Sequence, residues 1–265
     1  MNKFFGLSCI LLSFSLLSGC VTEKIVYENG REVVKTDDDD SPERSKLAAD
    51  NRVKIAIRLL NEGQATMAKQ NLQKALEYDP DNFNAKLGFA WYYQQVGETE
   101  NAYNAYNNLI KQFSDNGDVY QNYGMFLCGQ KKYTEAYNTF EHALTIKNYT
   151  RMAETLFEAG RCAYSQGDDR KAIAYADRAL AYNSTTPILL LFRAELALGV
   201  DDVNTARIMM SRFSHYSEDN SMSLFIKLRI EEGSGNIDEA RKYGDLLLTR
   251  YPNSPEAKKY QNNDY

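Results

Sequence analysis

The 265-residue chain has only two histidines, His142 and His215, set far apart with no carboxylate or cysteine cluster beside either. Imidazole is the commonest metal ligand and acid–base group, so this scarcity speaks against a metal centre or a proton-transferring pair. There is also no glycine-rich loop to cradle a phosphate and no serine-centred elbow. No cofactor, metal or small-molecule substrate is therefore expected, and the chain is not expected to be an enzyme. Basic residues are in deficit, 31 Lys and Arg against 36 Asp and Glu, which leaves a net charge of −5. That balance argues against nucleic acid as the partner. Long apolar runs are lacking as well. The one sizeable stretch, residues 4–17, is too short to span a bilayer as a helix.

That stretch has a different use. Lys3 gives it a positive start, and it ends in Leu17-Ser18-Gly19-Cys20. The pattern is a bacterial lipobox: residues 1–19 are a lipoprotein signal peptide, and Cys20 is the lipidation site. Loss of Lys3 lowers the basic count from 31 to 30 against 36 acidic residues, a net −6. Two or three acyl chains, at about 0.8 kcal/mol per buried methylene, anchor where one would not. Residue 21 is Val rather than Asp, which points to the inner leaflet of an outer membrane and a chain facing the periplasm. Residues 20–48 read as a lipidated tether, mostly disordered, with an acidic run at Asp37–Asp40. That run lacks the ligand spacing, glycine and distal glutamate of a calcium loop. Ile25-Val26-Tyr27 and Val33-Val34 flank Asn29-Gly30, the pattern of a small hairpin.

The body of the chain is periodic. Ala68, Ala102, Ala136, Ala172, Ala206 and Ala240 recur every 34 residues, with one step of 36. Twelve residues before each stands a small residue in five copies (Ala56, Ala90, Gly124, Gly160, Ala194) and Leu228 in the sixth. Gly63, Gly97, Gly167 and Gly235 mark turns, and Pro80 and Pro252 close the first and last copies. This is the tetratricopeptide period. Each copy is expected to be two antiparallel helices, with alanine or glycine at the crossing so that the backbones approach closely. The reading is an all-α, right-handed superhelical solenoid of six repeats: 49–82, 83–116, 117–150, 153–186, 187–220 and 221–254. Arg151 and Met152 are a two-residue insertion. Residues 255–265 are a polar C-terminal cap, with Ala257–Tyr260 as one further helical turn.

In such repeats the first helix of each pair builds the binding face. The residue after the small packing position lines it, as do those four before and three after that residue. Val53, Ile57, Leu60, Leu87, Trp91 and Met125 then form an apolar N-terminal groove. The lining turns charged at Arg161, Glu195, Arg229 and Glu232. A patch of this kind with an aromatic at its centre is a candidate protein-binding site. The competing reading is that the tether covers it, or that Val53 and Ile57 pack as end-repeat residues. Of the four cysteines, Cys9 leaves with the signal and Cys20 takes lipid. Cys128 and Cys162 fall at nearly the same level of neighbouring first helices. In an oxidising compartment they either bridge or stay as two buried thiols.

A lipobox followed by six such repeats resembles the type IV pilus biogenesis lipoproteins, the pilotins of the PilF/PilW family. The specific stretches are Asn122-Tyr123-Gly124-Met125-Phe126-Leu127-Cys128, Gly160-Arg161-Cys162-Ala163, Arg229-Ile230-Glu231 and Tyr251-Pro252-Asn253-Ser254. Phe225 stands where the family has Trp, Glu158 where it often has Asn, and Lys227 where it has Gly. The resemblance implies an outer-membrane lipoprotein that binds the type IV pilus secretin and promotes its targeting and multimer assembly. It also implies that Cys128 and Cys162 form a disulfide. The alternative is a generic tetratricopeptide scaffold lipoprotein for outer-membrane protein or cell-envelope assembly.

Overall fold

The computed structural model describes residues 23–28, 31–36 and 41–265, the two short stretches as backbone only. Those stretches are strands β1 (Glu23–Glu28) and β2 (Arg31–Thr36). They pair antiparallel, Ile25 opposite Val34 and Val26 opposite Val33. The hairpin lies inside the segment expected to be a tether. The signal peptide, Cys20 and Asp37–Asp40 lie outside the described residues.

From Pro42 onward the described elements are all helices: α1 (Pro42–Asn61), α2 (Ala65–Tyr78), α3 (Phe83–Gln95), α4 (Thr99–Gln112), α5 (Gly117–Gly129), α6 (Tyr133–Thr145), α7 (Met152–Gln166), α8 (Asp169–Tyr182), α9 (Pro187–Gly199), α10 (Val203–Tyr216), α11 (Ser221–Gly233), α12 (Ile237–Arg250) and α13 (Pro255–Asn262). None of these is long and apolar enough to cross a membrane. From Pro42 on, the fold is all-α, a succession of tetratricopeptide helix pairs. The chain divides into two compact units, Met1–Tyr92 and Tyr93–Tyr265.

In the first unit α1 starts at Pro42, well before Ala49, where the first repeat was expected to begin. Local chemistry explains the early start. The Ser41 hydroxyl accepts the Arg44 N–H at 3.2 Å, Pro42 occupies the first turn and Glu43 follows it. A side-chain cap, a proline with no N–H to satisfy and an acid at the positive helix end each favour initiation. Residues 42–48 are thus helix rather than tether. Ala49 and Val53 then pack with Ala75 of α2 and Ala85 of α3.

In the second unit the alanine ladder is the core. Ala136, Ala172 and Ala206 are fully buried in one cluster with Phe140, Leu156, Leu190 and Phe213. Gly124 shows why a small residue is needed at the crossing. A Cβ there would stand 2.7 Å from the Phe140 ring. Further along, Tyr106 stacks on Phe126 with centroids 5.3 Å apart, and Tyr103 meets the same ring edge-on at 4.7 Å. The turns within pairs reuse one left-handed residue. Gly63, Gly97, Gly167 and Gly235 have φ of 74°, 76°, 81° and 78°, and Lys131 (60°) and Asp201 (58°) hold the equivalent place without glycine. Asp168 and Asp202 cap α8 and α10, and Asn220 with Ser223 forms a reciprocal capping box on α11. Ser254 caps α13, which runs from Pro255 to Asn262 where one extra turn was expected.

Candidate partner-binding face

The first helices carry the candidate face, and exposure varies along each lining triplet. The middle residue is exposed in repeats one, three and four, and Tyr164, the third residue of repeat four, is exposed too at 47 %. Ile57 is 40 % exposed and Met125 38 %, Trp91 is half-buried and Arg161 is exposed. The first residue is buried in four of the six repeats, while Leu87 and Phe157 are half-buried. Val53 is only 4 % exposed because it fills the space between Ala75 and Ala85. Gln121, Leu191 and Phe225 are buried at the same place in their repeats. Leu60, the third residue of its triplet, is 6 % exposed. Val53 and Leu60 are therefore core residues, which corrects the expectation that they line a groove. In the first unit this leaves Ile57 on α1 and Leu87 and Trp91, one turn apart on α3. Leu87 is half-buried like Trp91.

In the second unit the row α5, α7, α9, α11 is held by contacts between successive first helices. Cys128 and Cys162 join α5 to α7, with Sγ atoms 2.04 Å and Cα atoms 5.9 Å apart. Phe157 and Tyr164 of α7 meet the Phe192 ring of α9 edge-on at 5.3 and 6.3 Å. Arg229 Nη1 of α11 donates to both oxygens of Glu195 of α9 at 2.8 Å. Next to the cysteines a cavity of about 210 Å³ is lined by Met125, Cys128, Glu158, Arg161, Cys162 and Ser165. Burial pushes the Glu158 carboxyl above its ordinary value, against the pull of Arg161 Nη1 at 3.2 Å. The cavity thus offers one thioether, one carboxylate, one hydroxyl and one accessible guanidinium.

Two features of this unit were not evident from sequence. One is the knot at the insertion. The Tyr149 hydroxyl bonds Gln121 and Thr155, each at 2.7 Å, and Arg151 reaches Asp118 at 3.1 Å. The extra residues between repeats three and four are thereby fastened to both. The other is Tyr265, which lies against α11 (below).

Family models described as tetratricopeptide repeat match residues 59–123 and 115–183. An uncharacterized protein of Haemophilus influenzae is 41 % identical over 120 residues, spanning 45 % of this chain and 67 % of its own. The type IV pilus assembly protein PilF of Pseudomonas aeruginosa is 28 % identical over 245 residues, 92 % of this chain and 93 % of its own. The chain is a PilF-like tetratricopeptide-repeat protein. The solved structure of Pseudomonas aeruginosa PilF matches this PilF-like chain with a TM-score of 0.65 at 28 % identity, over 83 % of the chain and 99 % of that structure. PilW, described as a widely conserved type IV pilus biogenesis factor, shares the fold with a TM-score of 0.67 at 23 % identity, over 80 % and 98 %.

Proposed function

We propose that this chain is a lipoprotein of the outer membrane, held in the inner leaflet by acyl chains on Cys20. It faces the periplasm, binds the type IV pilus secretin and promotes its targeting and multimer assembly. The observation that carries the reading is similarity over 92 % of the chain to a protein named for type IV pilus assembly. A non-enzymatic scaffold fits the face described above, which offers side chains to grip a polypeptide. In the periplasm Cys128 and Cys162 would be oxidised.

The anchor has a direct test. Wild-type protein should take up labelled palmitate and fractionate with the outer membrane, and Cys20→Ala should do neither. Normal fractionation of the variant would remove the anchor from the reading.

Partner binding is tested on α3, where Leu87 and Trp91 are half-buried rather than core. Each well-buried apolar side chain contributes about 1.5–3 kcal/mol to an interface before ordering costs. Trp91→Ala or Leu87→Glu should therefore weaken secretin binding by about tenfold or more, since about 1.4 kcal/mol is one decade. Secretin multimers should fall while other outer-membrane barrels assemble normally and the circular dichroism stays native. Loss of barrels in general would favour the general scaffold. Folded variants with full secretin assembly would exclude this α3 face.

A further inference from the structure

The end of α11 holds an aromatic niche, and this chain fills it with its own side chain. Phe225, Arg229 and Glu232 follow one another along one face of α11. Phe225 is buried, and the Arg229 guanidinium lies 5.7 Å from its ring centroid. Arg229 Nη1 is engaged by both Glu195 oxygens. Other carboxylates of the first-helix row have a cation, Arg161 for Glu158 and Arg229 for Glu195. For the Glu232 carboxylate the partner is a phenol. The Tyr265 hydroxyl donates to Glu232 Oε1 at 3.0 Å, and its ring meets Phe225 edge-on at 5.1 Å.

The route of the chain into this niche is defined. Asn263 closes α13 in the left-handed conformation, φ 53°, which asparagine tolerates better than most residues. The Asp264 N–H then bonds back to the Lys259 carbonyl at 3.0 Å, and the turn delivers Tyr265 to α11. The tyrosine is held without being enclosed. It stays 44 % exposed, where a residue that sealed the end of the core would be buried. Burial and the neighbouring carboxylate push its phenol up to about 12, so the hydroxyl remains a donor at neutral pH.

We propose that Phe225 and Glu232 form a tyrosine-accepting subsite, occupied in cis by Tyr265, which a tyrosine-bearing segment of a partner polypeptide displaces. Edge-to-face packing on Phe225 selects an aromatic ring, and the Glu232 carboxylate selects a ring with a hydroxyl. The proposal rests on the reading that the first-helix row receives a polypeptide. It adds the chemistry of one anchor residue and a built-in competitor. A tethered competitor on a short link acts at an effective concentration in the millimolar range, so it limits weak ligands and yields to a multivalent one.

The test uses N-acetyl-L-tyrosinamide as probe and amide NMR shifts as readout. Tyr265→Ala lies beyond the last helix, and its melting curve should follow that of the wild type. In that variant the probe should produce saturable shifts confined to the amides around Phe225, Arg229 and Glu232. Wild type should bind about threefold more weakly or worse, through competition at millimolar effective concentration. N-acetyl-L-phenylalaninamide should bind the variant several-fold more weakly than the tyrosine probe. Adding Glu232→Gln should remove most of that difference. Equal affinity in wild type and variant, scattered shifts, or equal binding of the two probes would overturn the proposal. So would dimerisation of Tyr265→Ala, which would assign the niche to a second copy. Because the probe is a single amide, a failed secretin assay leaves this result readable, and a negative probe result leaves the secretin assay standing.

Discussion

Phe140→Ala is expected to destabilise the second unit by about 3–5 kcal/mol, the range for deleting a buried aromatic from a packed core. Phe140 is 1 % exposed and sits over Gly124, where the two helices of repeat three cross. Truncation opens a cavity that its neighbours cannot close, since the alanines around it have no rotamers with which to fill space. The complementary change tests the same contact from the other side. Gly124→Ala gains about 1 kcal/mol in helix propensity and loses about 1–3 kcal/mol to overpacking, because its Cβ would stand 2.7 Å from the ring. The net is a cost. In Gly124→Ala with Phe140→Leu that cost should shrink, so the double variant should be more stable than the sum of the two singles predicts. Urea unfolding of the four proteins, followed by circular dichroism, measures the coupling. Additive single effects would mean that Gly124 and Phe140 do not meet.

The repeat frame was legible in the sequence because its causes are local and recur. An alanine at a helix crossing has no substitute of larger volume, so the 34-residue ladder shows through the surrounding variation. The left-handed turn was legible only at the four copies that use glycine. Lys131 and Asp201 adopt the same conformation with ordinary side chains, so the fold sustains the turn and the residue type does not announce it. The start of α1 was misplaced for a related reason. Counting back from Ala56 by repeat logic gives Ala49, whereas Ser41, Pro42 and Glu43 carry their own initiation signal.

The candidate face was legible in part. Of the residues that repeat position placed on the groove, Ile57 and Met125 are exposed, but repeat position could not show that the residue four places earlier is buried in four of the six repeats. That burial depends on what the neighbour offers. Val53 finds two alanines, Gln121 finds Tyr149 and Thr155, and Phe225 finds Tyr265. Three chemically unlike residues are buried at one position for three different reasons, and no single-repeat pattern contains that information.

Loss of the Cys128–Cys162 bridge is expected to cost about 3–4 kcal/mol in the chain-entropy account, for a loop spanning a sequence separation of 34. The bridge spans the insertion between repeats three and four, where the alanine ladder steps by 36 rather than 34. The Tyr149 knot and the Arg151–Asp118 pair hold the same junction. An exposed ion pair contributes at most about 1 kcal/mol, so the covalent link should dominate there. Two effects must be separated, because Cys162 is also a core residue at 3 % exposure and acts as a small apolar side chain when reduced. Wild type unfolded with and without reductant isolates the bond. Cys128→Ala with Cys162→Ala, compared with the reduced wild type, isolates the packing. The reductant should produce most of the loss, and the double variant should then differ little from reduced wild type. The helix pairs should persist in both, since their alanine crossings are untouched. Mass spectrometry of non-reduced peptides from the mature, exported protein should recover residues 128 and 162 in one linked species. Two free thiols in that sample, or a midpoint that ignores reductant, would show that the junction is held by packing alone.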